Sequence, residues 1–265
     1  MGTQHILGVP MSRRKNSAMR REQEQYDRSN KNTQTFYQKH ENTINFSLVK
    51  HKKQIELLPK SQSQESYILS LLDSNTDIVV ATGPAGTGKT YLAMLAAIQA
   101  LRNREVDKIV LTRPAVGVDD EKHGFLPGDL NSKMEPWTRP LLDVLKEHYS
   151  AKECEYMLSE GIVEISPLAF MRGRTFKESF IILDEAQNAT PSQIKMLMTR
   201  IGYNSKIVIT GDIEQTDRRR TDNGLLDLED RLYKHPVSKI DVIRFGLKDV
   251  QRHPIIEDVI RLYSV

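Results

Sequence analysis

The strongest chemical signal in the chain is an eight-residue glycine-rich segment that matches the pattern G-x-x-x-x-G-K-[ST] in full. Its residues are Gly83, Pro84, Ala85, Gly86, Thr87, Gly88, Lys89 and Thr90. Glycines let successive backbone N–H groups face a phosphate, and a helix that follows adds the positive end of its dipole. The segment therefore predicts a phosphate-binding loop in which Lys89 reaches the β- and γ-phosphates of a nucleotide and the Thr90 hydroxyl ligates Mg²⁺.

Two carboxylates, Asp184 and Glu185, directly follow the apolar run 180–183. Such a run predicts a buried strand, and ligands of open α/β sheets bind at the edge where the strands end. We expect Asp184 to hold Mg²⁺, directly or through water, and Glu185 to polarise an attacking water. Pairs of acids also occur at helix N-termini simply as dipole partners. The glycine-rich loop favours the catalytic interpretation.

A third polar segment, 210–215, follows the apolar run 206–209 and ends in Gln215. At the same sheet edge, Gln215 can sense the γ-phosphate and signal its loss to a neighbouring segment. An ordinary turn closed by Gly211 and Asp212 is the alternative interpretation. The presence of the other two motifs favours the sensing role.

The elements that must position these residues are indicated by short β-branched runs that alternate with longer helical stretches. Strands are predicted at 77–81, 108–111, 162–165, 180–183, 206–209 and 240–243, and helices at 88–102, 136–148, 190–201, 223–232 and 254–263. Nearly continuous apolar strands imply a sheet that is buried on both faces. We therefore predict an α/β fold with a parallel sheet flanked by helices. Residues 113–135 are predicted to form a loop-rich insertion.

The length of 265 residues fits one α/β domain with a tail. Residues 1–60 hold 12 Lys and Arg against 5 Asp and Glu, whereas the whole chain has a net charge of +3. The composition predicts a basic, partly disordered N-terminal extension over 1–60 and a folded domain over 61–265. The extension either binds nucleic-acid phosphates or is a solvated tail, and both interpretations stay open.

The single cysteine, Cys154, excludes an internal disulfide and any multi-cysteine metal site. This is consistent with a reducing compartment. No stretch reaches the roughly 18 apolar residues of a membrane span, and the short run 5–10 is not a signal-peptide core. We expect a cytoplasmic protein without a membrane partner.

Together, the motifs resemble the ATPase core of superfamily 1 helicases and, more closely, the PhoH-like (phosphate-starvation-inducible) P-loop ATPase family. The resemblance covers roughly residues 60–265, and it is also carried by segments 91–93, 111–116, 124–130, 136–137, 170–176 and 183–188. It implies a RecA-like P-loop NTPase fold, ATP and Mg²⁺ as cofactors, and ATP hydrolysis. Tyr91, directly after the glycine-rich loop, is grouped with the loop as a nucleotide-binding residue.

The resemblance assigns two further residues to the nucleotide. Gln64 resembles the upstream glutamine that reads adenine in related ATPases, with Tyr67 near the base, although a surface glutamine is the plain alternative. Arg252 matches a family arginine that completes the γ-phosphate site of its own or a neighbouring subunit. An arginine finger of this kind can change the rate by roughly 10³–10⁵.

Nucleic-acid contacts are also implied by the resemblance. They begin at Thr112, Arg113 and Pro114, with Lys133, Arg139, Arg172 and Arg174 as further phosphate contacts and Trp137 and Phe170 as stacking residues. The alternative is that the two aromatic side chains belong to the core and the cations are solvated.

The function predicted from the sequence is ATP hydrolysis coupled to the binding or remodelling of RNA or another single-stranded nucleic acid. A superfamily 1 helicase closes two RecA-like domains around ATP, and the sequence predicts one, so we expect a homo-oligomeric ring, with a hexamer favoured. A nucleotide-dependent switch or binding module without helicase activity is the alternative. An idle site is disfavoured because Lys89, Thr90, Asp184 and Glu185 are all present.

Overall fold

The fold is taken from a computed structural model, which describes residues 54–114, 130–216, 222–251 and 262; for 130–138 it describes the backbone only. The helices are α1 (Gln62–Leu72), α2 (Lys89–Arg102), α3 (Leu130–His148), α4 (Ala151–Ser159), α5 (Pro191–Met198) and α6 (Gly224–Lys234). The strands are β1 (Ile78–Thr82), β2 (Lys108–Thr112), β3 (Val163–Ile165), β4 (Ser179–Leu183), β5 (Lys206–Gly211) and β6 (Ile240–Arg244). Short 3₁₀ turns lie at Leu168–Met171, Ala186–Asn188 and Leu247–Asp249.

The six strands form one sheet in the order β3-β2-β4-β5-β1-β6, and each neighbouring pair is parallel. Every residue of β1 and β4 is buried, as expected for parallel strands that helices cover on both faces. Each fully buried aliphatic side chain in such a core contributes about 1.5–3 kcal/mol of transfer free energy. The predicted α/β fold, a parallel sheet flanked by helices, is confirmed.

All six predicted strands are present, but two helices were not predicted. Helix α1 has a polar first half, and its N-cap is Ser61, whose Oγ accepts a hydrogen bond from the Gln64 amide. Helix α4 has nine residues and begins with a capping box between Ser150 and Glu153. Both helices also bury side chains at helical spacing, Tyr67, Ile68 and Leu71 in α1 and Cys154 and Met157 in α4.

The predicted insertion 113–135 is wrong at its C-terminal end, because α3 begins at Leu130 instead of residue 136. Pro136 therefore lies inside the helix and not at its start. Residues 115–129 lie outside the described residues, as does the predicted helix 254–263 apart from residue 262. None of the helices in the described part of the chain has the length and apolar character needed to cross a membrane.

The register of the sheet brings the chemically interesting segments to one edge. Thr82 at the end of β1 pairs with Gly211 at the end of β5, and Thr112 at the end of β2 pairs with Leu183 at the end of β4. Because parallel strands all end at the same edge, the segments that follow β1, β2, β4 and β5 meet there.

Candidate nucleotide-binding site

The glycine-rich loop connects β1 to α2 and requires glycine for steric reasons. Gly83 has φ +135°, and a Cβ atom at this position would lie 2.3 Å from the Phe245 carbonyl oxygen. Gly88, in the left-handed conformation, is the N-cap of α2, and no side chain caps the first turn. The first N–H groups of α2 are therefore available to an anion, as a phosphate-binding loop requires.

Lys89 lies across the loop and is buried. Its ammonium donates to the carbonyl oxygens of Gly83 at 2.6 Å and Pro84 at 2.7 Å, and to Thr87 Oγ1 at 3.2 Å. Thr87 Oγ1 in turn donates to the Pro84 carbonyl oxygen at 3.0 Å. These hydrogen bonds hold the positive charge of Lys89 inside the loop, next to the N-terminus of α2.

The two predicted metal ligands, which are 94 positions apart in the sequence, are in contact. Thr90 Oγ1 donates to Asp184 Oδ1 at 2.8 Å, and Thr210 Oγ1 donates to the same oxygen at 2.7 Å. A hydroxyl and a carboxylate are hard oxygen ligands, and Mg²⁺ in nucleotide sites takes one or two such protein groups together with phosphates and water. The residues present therefore fit Mg²⁺ at this position.

Arg113 lies at the same carboxylate, which the sequence did not predict. Its Nε donates to Asp184 Oδ2 at 3.0 Å, and its Nη2 donates to the same oxygen. The side chain of Arg113 is 18% exposed and that of Asp184 5% exposed. Arg113 was predicted to contact nucleic acid, but the structure places its guanidinium in the predicted metal site.

Glu185 follows Asp184 with φ +55°, and the side-chain amide of Gln187 holds its carboxylate. Gln187 Nε2 donates to Glu185 Oε2 at 2.6 Å and to the Gln215 carbonyl oxygen at 3.1 Å. Gln187 Oε1 accepts from the Asp212 amide at 3.1 Å. The amide group of Gln187 therefore links the two segments that were predicted to polarise water and to sense the γ-phosphate.

Gln187 is 1% exposed, and no role was predicted for it from the sequence. The one hint in the sequence is that Gln187 is a polar residue in the segment that carries the two carboxylates. The requirement for glycine at Gly211 needed the structure, because a Cβ atom there would lie 2.6 Å from Gln187 Oε1.

A cavity of about 350 Å³ opens between these segments. It brings together nine of the residues predicted for the site, namely Ala85, Gly86, Gly88, Lys89, Thr90, Tyr91, Asp184, Glu185 and Gln215. Arg113, Pro140, Gly211 and Asp212 also line it. Three carboxylates and two cationic side chains therefore face one cavity at the end of the sheet.

Gln64 and Tyr67 lie beneath the loop and do not line this cavity. Gln64 Nε2 donates to the Thr87 carbonyl oxygen at 3.0 Å, and Gln64 Oε1 accepts from the Lys60 amide at 2.8 Å. Gln64 therefore supports the loop, and its role in reading adenine stays a prediction.

Tyr67 was expected near the base, and this stays a prediction; the residue is fully buried. The Tyr67 hydroxyl donates to the Lys89 carbonyl oxygen at 3.1 Å. Burial, with a smaller contribution from the charge of Asp184, raises the pKa of this hydroxyl well above its usual range. Tyr67 therefore stays a neutral donor.

The residues that were predicted to contact nucleic acid differ in how exposed they are and in whether they are paired. Phe170 is 54% exposed, so the core alternative is wrong for this residue. Arg139 and Arg172 are exposed, whereas Thr112 and Pro114 are buried. Arg174 is paired with Glu164. The side chains of Lys133 and Trp137, and the whole of Arg252, lie outside the described residues.

Known proteins resemble this chain over most of its length. The family model for PhoH-like protein matches residues 56–264. A PhoH-like protein of Bacillus subtilis is 43% identical over 217 residues, which are 82% of this chain and 67% of the relative. Protein PhoH of Escherichia coli is 38% identical over 211 residues, which are 78% of this chain and 58% of the relative. The chain thus spans between about half and two thirds of the length of these relatives.

Among solved structures, the large terminase of a thermophilic bacteriophage matches with a TM-score of 0.51 and 10% identity, over 78% of this chain and 51% of the terminase. That likeness concerns the fold alone. The family match and the identities to its members lead to one conclusion: this chain belongs to the PhoH-like protein family.

Proposed function

We propose that this chain binds ATP with Mg²⁺ and hydrolyses it, and that it couples hydrolysis to the binding or remodelling of RNA or another single-stranded nucleic acid as a ring oligomer. The observation that carries the first part is the contact of Thr90 with Asp184 in a cavity that Lys89, Glu185 and Gln215 also line. A P-loop NTPase site needs these groups together at one edge of the sheet.

In this proposal the phosphates bind to the first N–H groups of α2 and to Lys89, whose ammonium is held by the Gly83 carbonyl oxygen of the loop. Thr90 and Asp184 hold Mg²⁺, which when bound neutralises charge on the β- and γ-phosphate oxygens. Glu185 orients the attacking water and accepts its proton. Gln215 senses the γ-phosphate, and Gln187 connects its backbone to the Glu185 carboxylate.

The nucleotide part is tested by titrating the full chain with a fluorescent ATP analogue in the presence of Mg²⁺. Wild type binds the analogue, and Lys89→Ala loses most of the affinity because it removes the cation at the phosphates. Arg231→Gln is the matched control, since Arg231 is an exposed cation of α6 that is paired with Asp227. Equal affinity of Lys89→Ala and wild type would show that the site lies elsewhere.

Support for nucleic-acid binding comes from the turn after β3, where exposed Phe170 is close in sequence to exposed Arg172. An exposed aromatic ring and a cation form the combination that stacks a base and holds a phosphate in single-strand binding. Fluorescence anisotropy with labelled single-stranded RNA and DNA tests this. Phe170→Ala should weaken binding by about 1–3 kcal/mol, and unchanged affinity would remove Phe170 from the interface.

The ring oligomer, with a hexamer favoured, rests on the resemblance to ATPases that close two RecA-like cores around ATP. The described residues form one such sheet, and Arg252, assigned to the γ-phosphate of its own or a neighbouring subunit, lies outside them. Mass photometry with and without ATP tests the proposal. A monomer under both conditions would contradict it.

The second candidate is a nucleotide-dependent switch without helicase activity. It is favoured by the contacts of Gln187 with Gln215 and Thr216, because these contacts connect the catalytic carboxylate to the segment after β5. Slow ATP turnover that RNA and DNA leave unchanged would favour the switch, whereas stimulation by RNA or DNA would favour the coupled ATPase.

We also propose that the protein acts in the cytoplasm. The support is that the sequence holds one cysteine and therefore forms no internal disulfide, as is common in a reducing compartment. Fractionation of cells that express the tagged chain would test this, and recovery outside the cytoplasm would contradict it.

A further inference from the structure

The carboxylate of Asp184 has its two oxygens in different surroundings. Oδ1 accepts hydrogen bonds from the hydroxyls of Thr90 at 2.8 Å and Thr210 at 2.7 Å. Oδ2 accepts from the guanidinium of Arg113 through both Nε and Nη2. A divalent cation that binds Asp184 through Oδ2 therefore meets an arginine on the same oxygen.

The backbone around Arg113 is anchored on both sides. The Asp184 amide donates to the Thr112 carbonyl oxygen at 3.0 Å, and the Leu168 amide donates to the Arg113 carbonyl oxygen at 3.2 Å. The long side chain is thus the part of Arg113 that can change position. It already lines the cavity together with Lys89 and Gln215.

When a nucleotide is bound in the cavity, its phosphates are a second anionic partner for Arg113. Among the described residues that line the cavity, Asp184, Glu185 and Asp212 are anionic and Lys89 and Arg113 are cationic. A divalent cation at Asp184 repels a guanidinium at the same oxygen, whereas the phosphates of a nucleotide attract it.

We propose that Arg113 competes with the divalent cation for Asp184, so that the cation alone binds poorly, and that Arg113 moves to the nucleotide phosphates when cation and nucleotide bind together. This proposal rests on the proposed nucleotide function of the cavity. Arg113 is then the residue that makes metal binding depend on the nucleotide.

The first test measures Mn²⁺ binding to the full chain without added nucleotide, by electron paramagnetic resonance of the free ion. An arginine beside a carboxylate changes its affinity for a competing proton by about 10- to 1000-fold, so Arg113→Gln should tighten Mn²⁺ binding by at least about tenfold. Asp184→Asn in the Arg113→Gln background should abolish the gain. Arg231→Gln, which removes an exposed cation from α6, should leave Mn²⁺ affinity as in wild type.

The second test measures a fluorescent ATP analogue with Mg²⁺. Arg113→Gln should weaken its binding by about tenfold, the effect of losing one charge-assisted contact of roughly 1.4 kcal/mol. Arg113→Lys keeps the charge but loses the two-nitrogen contact, so it should lie between Arg113→Gln and wild type in both tests. It also provides the measurement if Arg113→Gln does not fold.

Mn²⁺ affinities of Arg113→Gln and wild type within twofold would overturn the competition. Unchanged binding of the ATP analogue would overturn the transfer of Arg113 to the phosphates. Failure of the proposed function has a different signature, since wild type itself would then not bind the analogue. The competition for Mn²⁺ remains measurable in that case.

Discussion

Two of the arginine–carboxylate pairs at the sheet, Arg113 with Asp184 and Arg174 with Glu164, differ in how the carboxylate is bonded. In the cavity pair, Nε and Nη2 of Arg113 donate to one oxygen of Asp184, and two threonine hydroxyls donate to the other. In the edge pair, Arg174 and Glu164, the guanidinium bonds both oxygens. At Asp184, a bound ligand can replace one of several donors. At Glu164, one guanidinium is bonded to both oxygens.

The surroundings of the edge pair support a structural role. Lys108 adds a contact to Glu164 at 3.2 Å, and the Arg174 guanidinium lies 4.6 Å from the centre of the Phe176 ring. The side chains of Arg174 and Glu164 are 36% and 22% exposed, against 18% and 5% for the cavity pair. The edge pair thus joins β3 to the segment before β4. The cavity pair instead lies where a ligand can bind.

The largest difference between the two pairs is expected when their carboxylates are removed. Asp184→Asn should lower Mg²⁺-dependent ATP hydrolysis by about 10²–10⁴, because metal-ion stabilisation of the transition state amounts to several kcal/mol. Glu164→Gln should leave hydrolysis within about twofold of wild type. Steady-state kinetics on both variants checks this. A large loss of activity in Glu164→Gln would show that the edge pair is not only structural.

In the cavity, Gln187 contacts the Glu185 carboxylate, and we expect it to position this group for catalysis. Gln187→Leu removes the donor at 2.6 Å from Glu185, and a displaced catalytic group can cost about 10²-fold in kcat. The affinity for the ATP analogue should not change, because Gln187 does not line the cavity.

Two further variants identify the mechanism of that loss. Gly211→Ala, which places a Cβ atom against Gln187 Oε1, should reproduce it. In the Glu185→Gln background, Gln187→Leu should add almost nothing, since groups that act together are not additive. Additive losses would contradict the positioning role.

A smaller effect is expected from Arg174→Gln at the edge pair. Because this pair is partly exposed, its loss should lower the free energy of unfolding by about 0.5–1 kcal/mol. Urea denaturation measures the change, and the affinity for the ATP analogue should equal that of wild type. Weaker nucleotide binding would place Arg174 in the functional site after all.

The smallest expected effect is the pH dependence of the edge pair. Hydrogen bonding and charge from Arg174 lower the pKa of Glu164, with a further contribution from Lys108. The pair therefore stabilises the fold above the unfolded-state pKa of about 4.3, and this contribution is lost as pH falls through the lower folded-state pKa. Urea denaturation in this acidic range should show a weaker pH dependence for Arg174→Gln than for wild type. Equal slopes would contradict this.

The sequence predicted the strands and the chemistry at their ends well, because apolar runs and a glycine-rich loop are local signals. Lys89, Thr90, Asp184, Glu185 and Gln215 meet in one cavity as expected. Distant partners were predicted where both carry a motif, as Thr90 and Asp184 do, but not where one of the two lies outside the motifs of the nucleotide site. Arg113 and Asp184 are 71 positions apart, and only the pairing of β2 with β4 brings them together.

The helix α1 and the buried polar link made by Gln187 were also missed. The first turn of α1 depends on one hydroxyl of Ser61, which is a weak signal in a polar segment. A buried glutamine cannot be told from an exposed one until its partners are known. The complete burial of Tyr67 was likewise not predicted from the sequence.

The most direct test of ATP hydrolysis in this cavity is to measure phosphate release from ATP by the full chain with Mg²⁺ and to compare wild type with Glu185→Gln. Our account predicts that wild type releases phosphate and that Glu185→Gln lowers kcat by about 10²–10⁴, the usual contribution of a general base. The variant should still bind the fluorescent ATP analogue as tightly as wild type. Equal phosphate release by the two proteins, or none from a wild type that binds the analogue, would contradict the claim that this cavity hydrolyses ATP.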